Sequence, residues 1–223
     1  MVKKHNILTK FIDLLKKIKK IADEDSFRGY ALSIIIIIKF LILPAMGLVL
    51  GNTSYPIVSV VSNSMEHRLN EYDTICGTFV DRSQYESDFN GYWSVCGQYY
   101  ENNLNISKEE FESFSMKNGF NIGDAMILYK KDVEDIKKGD IIVFMMTIYQ
   151  DQNTIMQKPI IHRVVDINYR NEQYFFTTKG DWNPSSDYRE TKIRYDQIEG
   201  VAVLKIPFAG YPKYFLSKLL GQL

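Results

Sequence analysis

Residues 31–50, ALSIIIIIKFLILPAMGLVL, form an apolar run 20 residues long whose single charge is Lys39. A helix of that length rises far enough to cross a hydrocarbon core of about 30 Å, so the run predicts a transmembrane anchor over 30–51. A buried core helix is seldom apolar on every side. A cleaved secretory signal fits poorly, because the run starts some 30 residues into the chain, exceeds an h-region in length and is followed by no A-x-A site. Residues 1–51 carry nine Lys or Arg against four acids, with most of the lysines before the run. That bias places the N-terminus in the cytoplasm and everything after Gly51 outside. The expected organisation is a basic cytoplasmic segment (1–29), a single-pass anchor (30–51) in the cell membrane, and an extracytoplasmic domain (52–223). Ile7, Leu8, Phe11, Ile12, Leu14, Leu15, Ile18 and Ile21 recur at helical spacing opposite lysines, the pattern of an amphipathic helix lying on a lipid bilayer. Lys39 is read as tolerated in the span by snorkelling.

The chain holds 27 basic and 27 acidic residues, so the part beyond the anchor is mildly acidic, with a net charge of −5. Nucleic acid as a partner requires a basic footprint and is excluded. Fifteen Tyr and 13 Phe favour strands. Strand character appears at 57–61, 124–129, 140–146, 160–167, 174–178 and 201–206, separated by turn signals such as Lys179-Gly180-Asp181. The fold class is therefore mainly β and antiparallel. Residues 74–123 are richer in Tyr, Asn, Ser and acids and read as a small inserted subdomain containing a helix. Ser107 with Glu110 forms a capping box there. Cys76 and Cys96, the only cysteines, both lie in this insertion. An even count outside the membrane allows a disulfide, with two buried thiols as the alternative. With no Cys-x-x-Cys and three histidines in the whole chain, neither a metal nor another cofactor is expected. Asn52-Thr53-Ser54 and Asn105-Ile106-Ser107 are sequons of the kind that also arises by chance.

Three short stretches carry candidate chemistry. Ser62-Asn63-Ser64-Met65-Glu66 follows a strand-like run. A serine at a strand end exposes its hydroxyl while its own N–H is free to face an oxyanion, although a stretch of serines is more often a solvated turn. In Ile160-Ile161-His162-Arg163-Val164, strand alternation puts Ile160, His162 and Val164 on one face, so the imidazole sits among apolar groups. A satisfied core histidine is the competing explanation. The third stretch is Thr178-Lys179-Gly180-Asp181-Trp182-Asn183, with Asp187 six residues after Asp181. His67 is read as a solvent-facing loop residue, and Lys158 and Lys179 are the bases in a minority Ser/Lys reading.

In this order the stretches resemble signal peptidase I of the archaeal and endoplasmic-reticulum type, whose pattern runs S-G-S-M-E-P, G-D-V-I-V-F, H-R and K-G-D-N-N with a second Asp six positions on. They stand here as Ser62 to Glu66, Gly139 to Phe144, His162-Arg163 and Lys179 to Asn183 with Asp187, closed by Gly200-Val201 and Ile206 to Gly210. The resemblance implies a membrane-bound serine endopeptidase that removes signal peptides from secretory preproteins, with those signal peptides, and the export translocon, as partners. It further implies Ser64 as nucleophile and His162 as general base, with Asp181 and Asp187 as the two candidates for the carboxylate orienting it. The resemblance favours Asp187, while Asp181, following a Gly turn, is read as a brace for its loop through backbone N–H groups. Ser62, Ser64 and Met65 fall in the oxyanion and substrate-binding stretch. Asn63, His67 and Trp182 depart from the pattern, replacing Gly, Pro and Asn. Those departures are the only support for the competing function, a membrane-tethered binding or adaptor module without activity.

Overall fold

The structure, a computed structural model, describes residues 27–42, 55–149 and 155–219, together with Asp13, Lys16, Ala45 and Thr53. The chain divides into two compact units, Met1–Val49 and Leu50–Leu223. In the first, α1 (Phe27–Ile37) passes into a π-helical turn, Ile38–Ile42. The α-helical part rises about 16 Å, roughly half of a hydrocarbon core. Among the described residues no helix is long and apolar enough to cross a membrane; of the crossing helix expected over 31–50, residues 43–44 and 46–50 lie outside the described residues. Ile34, Ile35, Ile37, Ile38 and Phe40 are nevertheless exposed. Most of the amphipathic segment expected over 1–29, and Asn52, lie outside the described residues.

The second unit is built on a seven-stranded antiparallel sheet. Its strands are β1 (Ile57–Ser59), β4 (Ala125–Tyr129), β5 (Ile141–Tyr149), β6 (Ile155–Arg170), β7 (Gln173–Lys179), β8 (Ile193–Arg194) and β9 (Ile198–Ile206), in the order β1-β4-β9-β5-β6-β7-β8. A separate pair, β2 (Thr74–Ile75) and β3 (Thr78–Phe79), forms a hairpin. All six strands expected from the sequence are present. The pairs of two residues each, β2 with β3 and β8 as an edge, are too short to show a period and were not expected. Asn171 and Glu172 join β6 to β7 with φ of 51° and 61°, the left-handed pair that a two-residue hairpin turn needs to match strand twist.

The β5–β6 register sets Ile142 opposite His162 and Ile141 opposite Arg163, and the β6–β7 register sets Arg163 opposite Lys179. Alternation sends His162 to the face where Ile142, Phe144, Val164 and Phe176 cluster. Arg163 and Val165 point to the other, against the insertion. There α2 (Phe89–Leu104) starts at Asp88, whose side chain accepts from the Gly91 N–H, and ends at Asn105 in the left-handed region. The short α3 (Lys108–Ser113) is capped by Ser107, which accepts from the Glu110 N–H. Phe89, Tyr92, Trp93, Tyr100 and Phe111 form a core with Val165 of β6, so the insertion packs on the sheet and has no core apart from it. At the chain's end α4 (Tyr211–Leu219) follows β9.

Cys76 and Cys96 are joined by a disulfide that ties the β2–β3 turn to α2, across a sequence separation of 20. Closing a loop of that size removes about 3 kcal/mol worth of unfolded-state entropy. Replacing both cysteines by serine is expected to lower unfolding stability by about that amount, measured by urea denaturation of the oxidised protein. A double variant as stable as the parent would show that the bridge constrains nothing.

Candidate active site

The turn carrying Ser64 is held from below by its neighbours. Met65 is buried in the core with Val60, Phe120 and Met126. Its carbonyl accepts from the Phe120 N–H at 3.1 Å, and its sulfur accepts from the Asp181 N–H at 3.3 Å. Glu66 closes the turn by donating its N–H to the Asn63 carbonyl at 3.0 Å, and its Oε1 accepts from the Ile122 N–H. With Met65 anchored inward, Ser64 is left half-buried, its Oγ 3.2 Å from Ser62 Oγ. The Met65 side chain, expected in the oxyanion and substrate-binding stretch, thus belongs to the core. Among the described residues the Ser64 N–H has no hydrogen-bond acceptor.

On β6, His162 Nδ1 lies 2.6 Å from Glu190 Oε2, and both side chains are buried. Thr178, on the neighbouring strand, donates its hydroxyl to the same oxygen at 2.7 Å. A carboxylate at Nδ1 makes that nitrogen the donor and leaves Nε2 as the acceptor. Nε2 faces the Ser64 turn across Gly180. A Cβ at Gly180 would lie 2.8 Å from His162 Nε2 and 2.8 Å from the Ser64 carbonyl oxygen. Those two atoms are therefore no further apart than twice that distance, and Asn183 Nδ2 lies 2.8 Å from the same point, so a Cβ at Gly180 has no room. In this structure Ser64 Oγ pairs with Ser62 rather than with the imidazole. Such bonds often tighten only when substrate is bound.

Asp187, expected to orient His162, does not contact it. Its carboxylate is bound by Arg189, through Nε at 2.9 Å and Nη2 at 2.6 Å, and accepts the Arg189 N–H as the cap of a 3₁₀ turn, Tyr188–Glu190. The Arg189 hydrogen bonds hold Asp187 at a pKa of about 2. That turn swings Glu190 beneath β7, which is why the acid three residues further on reaches the imidazole. The sequence did carry a signal: Asp187-Tyr188-Arg189-Glu190 is an acidic capping pattern, with the cap first and a second carboxylate three positions later.

Asp181 lies fully buried on the opposite face of the sheet. Its two oxygens accept Arg163 Nε at 2.9 Å and Nη2 at 2.7 Å, and Oδ1 also accepts the Tyr100 hydroxyl at 3.3 Å. His67 Nε2 stands 3.0 Å from Oδ2. Burial alone would raise the Asp181 pKa, but the Arg163 charge and the His67 and Arg163 hydrogen bonds outweigh it and hold the carboxyl well below its ordinary range. His67 is thus no solvent-facing loop residue. It is buried, stacked on the Tyr92 ring with centroids 3.5 Å apart, and burial pushes its pKa down despite Asp181. The neutral ring donates through Nε2, while its Nδ1 has no hydrogen-bond partner among the described residues. The sequence could not reveal this, because the aromatic partner comes from the insertion, 25 residues away. Of the alternative bases, Lys158 is exposed on β6. Lys179 Nζ turns toward α2, 3.1 Å from the Gly180 carbonyl and 3.3 Å from the Tyr100 hydroxyl.

No family model matches the chain. It is 43% identical over 77 residues to signal peptidase I W of Bacillus subtilis, covering 34% of this chain and 36% of that protein. It is 33% identical over 124 residues to the signal peptidase complex catalytic subunit SEC11 of Lodderomyces elongisporus, covering 50% of this chain and 70% of that protein. The SEC11 subunit of Candida dubliniensis is 30% identical over 112 residues, covering 48% and 63%. The chain thus spans about a third of the length of the bacterial relative and about two thirds of the fungal ones.

Lys179 gives the site a measurable signature. Burial drives its pKa down to about 7, with Asp181 opposing the shift and Arg163 adding to it. Between about pH 7 and 10 the unfolded chain holds this proton and the folded one does not, so folding stability rises with pH by up to about 1.4 kcal/mol per unit. Urea unfolding from pH 7.5 to 9.5 should show that rise, and Lys179→Met should flatten it. An equal slope in the variant would place the titration elsewhere.

Proposed function

Because the chain belongs to the signal peptidase I family of the endoplasmic-reticulum type, we propose that it is a serine endopeptidase that removes signal peptides from secretory preproteins, with Ser64, His162 and Glu190 as its working groups. The observation that carries this reading is His162 fixed through Nδ1 by a buried carboxylate, with its free nitrogen facing the Ser64 turn.

In the proposed reaction His162 Nε2 takes the Ser64 proton as Oγ attacks the scissile carbonyl, and later returns it to the leaving amine. Glu190 fixes the tautomer and balances the imidazolium that forms, and its burial strengthens that interaction. Thr178 keeps the shared oxygen in place. The free Ser64 N–H and the Ser62 hydroxyl are placed to receive the oxyanion. The substrate is the extended end of a signal peptide, laid along a strand edge. Residues 30–51 anchor the enzyme in the cell membrane, with the N-terminus cytoplasmic and the sheet domain on the side where exported preproteins emerge from the translocon.

Cleavage of a preprotein by the purified full chain in detergent tests the proposal and separates it from an inactive tethered module. Ser64→Ala should fold and show no turnover. Glu190→Gln should lower kcat by on the order of 10⁴, by analogy with other triads that lose the orienting carboxylate. Asp187→Asn, which loosens only the capped turn, should cost far less. Wild-type turnover by Ser64→Ala would end the serine mechanism, and an inactive Asp187→Asn beside an active Glu190→Gln would return the orienting role to Asp187.

A further inference from the structure

The insertion over 74–123 takes no part in the chemistry above, yet its side chains end on the loop that frames it. From α2, the Tyr92 hydroxyl donates to the Asp181 carbonyl at 2.9 Å and the Tyr100 hydroxyl to Asp181 Oδ1 at 3.3 Å. The Tyr92 ring also covers His67, itself on Asp181. From the β2–β3 turn, the Cys76 N–H donates to the Trp182 carbonyl at 3.0 Å, and Cys76 is bridged to α2 through Cys96. The loop 180–183 is thus gripped at two consecutive residues. That same loop holds the nucleophile turn, since the Trp182 N–H donates to the Ser64 carbonyl at 2.9 Å, and it sets Gly180 against His162 Nε2.

We propose that Tyr92 and Tyr100 are positioning residues, and that the insertion is a brace fixing loop 180–183 and, through it, the spacing of Ser64 and His162. The effect on turnover rests on the peptidase reading; the effect on the loop does not. A shift well under 1 Å between a nucleophile and its base matters greatly to rate, and both hydroxyls act on the segment that separates the two.

Tyr92→Phe keeps the ring on His67 and removes the hydroxyl, with its bonds to the Asp181 carbonyl and, at 3.2 Å, to the Tyr100 hydroxyl. In the full chain in detergent, hydrogen exchange of the Trp182 amide should quicken about tenfold, and kcat should fall by on the order of tenfold with KM within about twofold. Tyr100→Phe should act in the same direction, and carries the test if Tyr92→Phe does not fold. Ser94→Ala, on the exposed side of α2 where the Ser94 hydroxyl bonds the Gly91 carbonyl, should change neither readout. Wild-type exchange at Trp182 in both tyrosine variants overturns the brace. So does faster exchange with an unaltered kcat. If the parent protein cleaves no preprotein, the proposed function falls, and the Trp182 exchange rates alone decide whether the insertion holds the loop.

Discussion

The buried pair of Arg163 and Asp181 is the interaction on which the rest of the domain depends. Both side chains are fully excluded from solvent. The guanidinium has five N–H donors in a fixed fork, and every one is used: two on Asp181 and the others on the carbonyls of Ser115, Met116 and Gly139. Asp181 fills its own capacity with Arg163, Tyr100 and His67. A buried pair of this kind contributes little over a well-packed apolar replacement, but removing one partner strands a charge and costs about 3–5 kcal/mol. Its value here is connectivity. One pair links β6, the loop after β7, the chain leaving α3 and the turn before β5, where Gly139 takes φ +91° and packs against Phe114 too closely to admit a side chain.

Strand β6 divides the labour between its faces in a single step of sequence. His162 points to the face with Glu190 and Thr178, and Arg163 to the face with Asp181 and the insertion. A slip of one residue in register would exchange the two, burying the imidazole under α2 and leaving the guanidinium beside Glu190. The long β5–β6 pairing and the apolar residues on both faces make that slip expensive. Downstream, the register shift between Val164 and Asp166 marks the place where Val165 enters the insertion core. Precision at Ser64 and His162 thus comes from a strand fixed on both sides, with the turn of Ser64 clamped between Met65 below and Trp182 alongside.

Much of this was legible in the residues. The strands with several apolar positions could be found by period, and strand alternation placed Ile160, His162 and Val164 together, where the structure has them. The order of the short stretches carried the family. Contacts between stretches far apart in sequence were not legible. His67 reads as a loop histidine because it stands three residues from Ser64, too close in sequence to serve as its base; its partner Tyr92 arrives with the insertion. Met65 beside a serine reads as part of a binding stretch, yet its thioether is drawn inward by a core that includes Phe120. Within the apolar run, α-helical geometry passes into a π turn after Ile37, which hydropathy cannot register.

The spacing from Asp181 leads to Asp187, whereas the acid within hydrogen-bond distance of His162 Nδ1 is Glu190. Pattern matching counts positions from Asp181 and stops at the acid found there. Side-chain commitment is decided by what the chain does next, and here it turns. Asp187 is spent on Arg189 and on capping, at a surface where solvent weakens anything further it could offer an imidazole. Glu190 is carried by that turn into the apolar face of the sheet, where a carboxylate interacts strongly with its neighbours and has two hydrogen bonds to offset its desolvation. The two acids therefore form one arrangement, the first shaping the turn that delivers the second. A chain with Asp187 but no carboxylate at 190 would need a different loop to bring its acid to the same nitrogen, because the cap that suits Asp187 also points it away.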